Sequence, residues 1–413
     1  MKTILIMVLL VVALPVAAET FNIEIDYMVD SSPGSAHSHM PSQDVIDAVV
    51  QMFACQGHTL NIVVDDALTH YYALRRDPSD NSFFDYSGSS DTYGRLKSNN
   101  FDNTGGGWHY AVFGHRYEGV DSTGTIFVSG SSGLGERPGD DFIVTLGSWP
   151  DSTGTDFEQA ATLAHEFGHN LGLTHCGGPN CDTVGPNVPV LASIMSYDYQ
   201  LQGLRTGLLC NGLIHETESG LFKEIDYSRG RMATLQEAAL DEALGTTFVP
   251  VDWDCSGSVS GVVAQDLSSD GPLWCSNNGS LDLIGDYNEW DMIVDVAKSA
   301  KSSELVNMPE SETCISWEEV RELQNKSHCP EPVLAVSEPC ISAQLWFVDG
   351  ATGRNSASGT WKDPSGTVTN ALIYVPSGSA VVLFPGTFDE GGTGGVVLDR
   401  QMRLYSATGS VIK

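Results

Sequence analysis

Residues 164–176 read Ala-His-Glu-Phe-Gly-His-Asn-Leu-Gly-Leu-Thr-His-Cys. His165 and His169 are one helical turn apart, so both imidazoles fall on one face. Glu166 follows the first of them and lies near the same edge. Gly172 can take a positive φ, which lets the helix stop and the chain turn back. His175 then returns as a third ligand. Three nitrogens on a tetrahedral Zn²⁺ leave one position open, the arrangement of a catalytic rather than a structural zinc. A bare H-E-x-x-H recurs by chance, whereas H-E-x-x-H-x-x-G-x-x-H is far more specific. The bland alternative is a helix whose histidines are only packed or solvated. Against it, Thr155–Leu163 carries Phe157, Ala160, Ala161 and Leu163 and extends the motif as an apolar-faced helix.

Upstream, Phe21–Met28, Leu60–Val64, Trp108–His115, Gly124–Val128 and Phe142–Leu146 read as strands. Pro41–Cys55 reads as a helix with Ile46, Val49, Val50 and Phe53 on its apolar side. Residues 65–107 read as loop. This succession predicts an α/β (α+β) domain with a twisted, mostly parallel sheet and an active-site helix. Downstream come Ser193-Ile194-Met195-Ser196-Tyr197 and an amphipathic closing helix expected over Leu235–Leu244. Composition shifts near Val249, so the domain is expected to span 19–248.

The H-E-x-x-H-x-x-G-x-x-H run together with S-I-M-S-Y resembles the metzincin clan of zinc endopeptidases. The Ser-x-Met-x-Tyr form is similar to the astacin and serralysin branches. The stretches GERPGDDFIVTLGSW, AATLAHEFGHNLGLTHCGG, SIMSYDYQ and IDYSRGRMATLQEAALDEALG also resemble secreted bacterial and archaeal metzincin-like proteins. The resemblance covers roughly Glu19–Gly245. It implies Zn²⁺ on His165, His169 and His175, with Glu166 as general base for attack of water on a peptide carbonyl. It implies Met195 as the floor under the histidines and Tyr197 as a fifth ligand or oxyanion partner. It also implies a protein or peptide substrate laid along a sheet edge near Ser131–Glu136, beside a pocket walled by Pro189–Tyr197. Cys176 departs from the pattern; a Cys176–Cys181 disulfide is expected there rather than a thiolate ligand. No upstream cysteine is placed to plug the zinc, so no activation by proteolysis is expected.

Lys2, the apolar run Ile4–Val12 and Val16-Ala17-Ala18 before Glu19 read as a secretory signal over 1–18, so the protein is expected outside the cell. The run is too short to span a membrane. Lys+Arg 20 against Asp+Glu 53 gives a net charge of −33, which argues against nucleic acid. The nine cysteines suggest disulfides, with one left over. Cys176–Cys181 and Cys255–Cys275 are natural local pairs, and Cys55, in an apolar helical run, is the expected free thiol.

Residues 249–300 are Asp-rich. Asp252-x-Asp254-x-Ser256-Gly257 and Asp266-x-Ser268-x-Asp270-Gly271 each match the first half of a calcium loop. Neither has an acidic twelfth residue, so Asp286 or Glu289 would complete a Ca²⁺ site; a polar, disulfide-held turn is the alternative. His109 and His115 are weak candidates for a second metal site, since lone strand histidines are usually packed. Residues 301–341 read as a cysteine-containing linker. Residues 342–413 carry short β runs and resemble the opening of a right-handed parallel β-helix, an all-β module suited to carbohydrate or cell-surface contact. The contrasting functional reading is a catalytically inert adhesion protein on a protease fold; retention of Glu166 speaks against it.

Overall fold

The computed structural model describes residues 18–178, 184–204, 212–216, 221–230, 234–242, 261–268 and 279–298. Beyond these it describes 232, 252–254, 256, 258, 316, 345–348, 354, 365–374, 380–383, 386–388, 403–406 and 410–412. The secretory run, Cys181, Asp270, Cys255–Cys275 and nearly all of the 301–341 linker lie outside them.

Strand β1 (Thr20–Asp30) is the axis of the sheet. It pairs in parallel with β3 (Thr59–Thr69) on one side and with β4 (His109–Gly114) on the other. A two-residue strand β2 (His37–Ser38) folds back antiparallel on the end of β1. Strands β5 (Glu118–Val120) and β6 (Ile126–Val128) form a separate hairpin. Strand β7 (Gly133–Gly135) ends the main sheet, antiparallel to β8 (Asp141–Thr145), which is itself parallel to β4. The sheet is thus mixed but mostly parallel. β3 runs beyond the expected Leu60–Val64 because Asp65 and Asp66 hide its continuation. Asp26 accepts from the Asp66 N–H at 3.3 Å across the register shift there.

Side chains alternate across the sheet. Phe21, Ile23, Ile25, Ala111, Phe113, Phe142 and Val144 face helices α1 (Gln43–Ala54) and α3 (Asp156–Asn170). Tyr110, Val112 and Ile143 face the other way, toward α2 (Tyr93–Asn100) and Phe83. α2 falls in the stretch read as loop. Of its eight residues only Tyr93 and Leu96 are buried, so no apolar period announces it. Phe167 of α3 sits among Phe21, Phe53, Phe142 and His109, with ring centroids 4.9–6.2 Å away.

Over its described part, 235–242, the expected closing helix does not form. Leu235–Gln236 and Leu240–Asp241 are extended and pair with Leu283–Ile284 and Val262–Val263. The reason is Glu237: its fully buried carboxylate accepts from the N–H groups of Leu267 and Asp282, both at 2.7 Å, which holds the backbone between two strands. Cys55 is not a free buried thiol either. It caps the C-terminus of α1, off the apolar face, and is disulfide-bonded.

In the C-terminal part, Leu345–Val348, Ala380–Leu383 and Arg403–Ser406 form a parallel ladder, as do Gly386–Phe388 and Ser410–Ile412. These ladders do not amount to a β-helix among the described residues. The module is not all-β: Val368–Tyr374 is a helix whose Val368, Ala371 and Leu372 are the buried face, at helical spacing that its β-branched composition disguised.

The chain beyond residue 248 returns to the first core. Trp290 packs on Phe53 and Tyr227, with centroids 5.1 and 4.9 Å away, and donates to Asp226 at 3.0 Å. Val294 donates to the Leu171 carbonyl at 2.8 Å. Trp290→Ala is therefore expected to cost about 3–5 kcal/mol of unfolding free energy by urea titration. A loss under about 1 kcal/mol, the scale of a surface change, would make this segment peripheral.

Candidate metal centre

Helix α3 starts on a reciprocal cap: Thr155 accepts from the Glu158 N–H at 3.3 Å, and Glu158 accepts from the Thr155 N–H at 2.7 Å. It ends at Gly172, whose φ of +90° suits glycine. Gly172 and Leu173 donate to the carbonyls of His169 and Gly168 at 2.8 and 2.9 Å, so the chain reverses within a turn. That reversal brings His175 back over the helix.

The Nε2 atoms of His165, His169 and His175 lie 3.0–3.2 Å from one another. All three side chains are buried. His165 Nδ1 lies 2.8 Å from the Ile194 carbonyl and His169 Nδ1 3.0 Å from the Leu173 carbonyl. A carbonyl accepts only, so each Nδ1 carries its proton and each Nε2 presents a lone pair. Burial, and then the neighbouring imidazoles, hold His165 and His169 well below the ordinary histidine range and hence neutral. Neutral imidazole with the far nitrogen bound to a carbonyl is the ligand form. On a tetrahedral ion with Zn–N of about 2.0–2.1 Å, neighbouring nitrogens stand roughly 3.3 Å apart, so the three fit zinc.

Met195 is fully buried under this centre. Its sulfur lies 2.5 Å from where a Cβ on Gly168 would be, so the helix can meet Met195 only through glycine there. Tyr227 donates to the Ala164 carbonyl at 2.6 Å from the same side. Ile194 donates to the Asp226 carbonyl at 3.0 Å. Asp286 accepts from the N–H groups of Ala192 and Met232 and from the Ser228 hydroxyl. Glu289 accepts from the Ser228 N–H at 2.7 Å. Asp286 and Glu289 therefore brace the Met195 turn.

Glu166 is fully buried. A Cβ on Gly133 would lie 2.4 Å from its Oε1, and one on Gly135 2.8 Å from its carbonyl oxygen. The glycines of β7 thus let the last strand of the sheet lie directly against Glu166. Ser131, just before β7, bridges antiparallel to Ser316. Tyr197 opens a one-turn helix, Tyr197–Gln200, and its ring stands 4.6 Å from that of His175 and 6.2 Å from that of His165. Cys176 is disulfide-bonded, which removes it as a thiolate ligand. Beside it lies a cavity of about 270 Å³ lined by Val184, Val188, Leu283, Ile284 and Tyr287, with neither Glu166 nor any of the three histidines in its lining.

No family model matches the chain, and no curated protein matches it. Among solved structures it is similar to archaemetzincin from Methanopyrus kandleri, at 15% identity and a TM-score of 0.23, covering 39% of this chain and 77% of that one. Overlap at that TM-score establishes no shared fold.

The remaining sequence candidates separate. Asp252 and Asp254 lie near Glu242, and both accept from the Ser256 N–H at 3.0 Å. Asp266 is buried and closes a turn, accepting from Ser268 and Gly279. Glu242, Asp252 and Asp254 each offer a carboxylate oxygen within 4.8 Å of the others, a set that could hold a cation, whereas Asp266 closes its own turn. His109 and His115 do not meet. His109 is held between Asn170 and Asp295, at 3.0 and 3.3 Å. His115 instead joins His37, His39 and His70. Among the described residues no helix is long and apolar enough to cross a membrane.

Burial lifts the Glu289 carboxyl to about 8, and hydrogen bonds from Ser193 and Ser228 offset this only in part. The folded protein thus keeps a proton that the unfolded chain releases. Its contribution is full at pH values below the ordinary glutamate range and is lost as pH rises toward 8. Glu289→Gln is expected to flatten the fall of unfolding free energy between about pH 5 and 8, by up to about 1.4 kcal/mol per pH unit. Equal slopes for variant and wild type in denaturant titrations would contradict this.

Proposed function

We propose that the chain is a secreted zinc-dependent endopeptidase acting on extended protein or peptide substrates. The observation that carries this reading is the convergence of three buried Nε2 atoms at 3.0–3.2 Å, with His165 and His169 held neutral. Without a cation among them, lone pairs so close repel. His165, His169 and His175 would hold the ion. When bound, zinc supplies a Lewis acid and lowers the pKa of water toward about 7.

The chain's own groups do the rest. Glu166, next to His165 and backed by β7, takes the proton that water gives up as its oxygen adds to the peptide carbonyl. It passes that proton to the departing amine nitrogen as the C–N bond breaks. Tyr197, its ring tilted beside that of His175, is assigned to stabilise the oxyanion. A substrate strand adding to the edge beyond β7 would run past Glu166. Export is supported by the charged, apolar and small-residue pattern of 1–18.

Casein cleavage by the purified chain is expected to stop with a chelator and return with Zn²⁺. Glu166→Gln is expected to keep its zinc and to lose at least about 10²-fold in kcat/KM. Wild-type turnover in that variant, or activity indifferent to the chelator, would overturn the reading.

Gly133→Ala tests the role of the edge. Its Cβ would meet both Glu166 Oε1 and, at 2.6 Å, the Ile143 carbonyl, so the strand or the carboxylate must move. A displacement near 1 Å costs on the order of 10²-fold in rate. That loss is expected with zinc content unchanged; an unchanged kcat/KM would separate β7 from Glu166 function.

A further inference from the structure

We propose that His37, His39, His70 and His115 form a second, closed site for a late first-row divalent metal ion, zinc foremost, that clamps one end of the sheet. This site is independent of the three-histidine centre. Its residues come from places far apart in sequence. His37 lies in β2 and His39 just after it, while His70 and His115 directly follow β3 and β4. The parallel sheet therefore delivers them all to the carboxyl ends of its strands, where β2 folds back beside β1.

Each residue offers a ring nitrogen, and the four nitrogens lie within 4.8 Å of one another. Ring centroids in the six pairs stand 4.8–5.6 Å apart. In the three-histidine centre the same spacing is 4.7–5.1 Å. His37 Nε2 and His39 Nε2 are 3.2 Å apart. His37 Nδ1 is 2.7 Å from the Ser35 carbonyl, so it holds the proton and its Nε2 presents a lone pair to the cluster. His70 Nε2 and His115 Nδ1 are buried with no hydrogen-bond partner among the described residues.

A cluster of packed imidazoles without a metal would leave those atoms unsatisfied, at about 1–3 kcal/mol each. Four imidazoles are a complete tetrahedral set, which marks a structural site with no open position. Nitrogen donors select Zn²⁺ and its neighbours over Ca²⁺ or Mg²⁺. The ion would tie β2 and the ends of β3 and β4 together. His39 also lines a small cavity with Gln159, in the first turn of α3, so the clamp sits at the end of that helix away from His169.

The test is metal stoichiometry of the full chain, loaded with Zn²⁺, freed of excess and measured by mass spectrometry of the elements. About two zinc per chain are expected, one per site. His165→Ala/His169→Ala should keep about one, and its Co²⁺ form should show the intense visible bands of a tetrahedral four-nitrogen site. His70→Ala/His115→Ala should also keep about one, at the other centre. Zinc retained in His165→Ala/His169→Ala and lost in His70→Ala/His115→Ala would support the clamp even if the peptidase reading fails. If His70→Ala/His115→Ala does not fold, the wild-type count and X-ray absorption decide. Two ions, one with four nitrogen ligands, support the proposal. A single ion with three nitrogens, or no zinc in His165→Ala/His169→Ala, overturns it.

Discussion

Three imidazoles with their Nε2 atoms 3.0–3.2 Å apart at one buried point form an arrangement that apolar packing cannot hold by itself. Lone pairs 3 Å apart repel. Much of the described fold around them serves to impose that convergence. The Thr155–Glu158 cap fixes where α3 begins. Gly172 fixes where it ends and sends His175 back. The carbonyls of Ile194 and Leu173 set the tautomers of His165 and His169, so each ring turns its Nε2 inward.

The floor is constrained as tightly. Met195 reaches the helix only because Gly168 has no side chain. The turn that carries Met195 hangs from Asp226, Ser228, Asp286 and Glu289, and Trp290 anchors that network in the main core. Burial raises the Asp226 and Glu289 carboxyls, and each keeps donors around it, Arg229 and Trp290 at Asp226 and the Ser228 N–H at Glu289. Glycine does a similar job on the other side. Gly133 and Gly135 bring β7 against Glu166 without a side chain between them, so the catalytic candidate and the sheet edge become neighbours.

The helix, the three histidines, Gly172 and most strands were legible because their signals are local: helical spacing, alternation and a glycine turn. What escaped was set by distant partners. Leu235–Leu244 has helical periodicity, yet Glu237 is claimed by N–H groups from residues 267 and 282. Asp286 and Glu289 look like cation ligands in an acidic stretch, yet the fold carries them back to the Met195 turn. α2 lacks an apolar face. His37, His39, His70 and His115 carry no motif, since only the parallel pairing of β1, β3 and β4 brings their strand ends together. Gly168 stood inside the quoted motif, but its need is visible only once the Met195 sulfur lies against it.

The most direct measurement is anomalous diffraction at the zinc absorption edge from crystals of the full chain grown with Zn²⁺. The account predicts a peak about 2.0–2.1 Å from the Nε2 atoms of His165, His169 and His175 together. An absent peak, with the three imidazoles turned apart and hydrogen-bonded elsewhere, would contradict it.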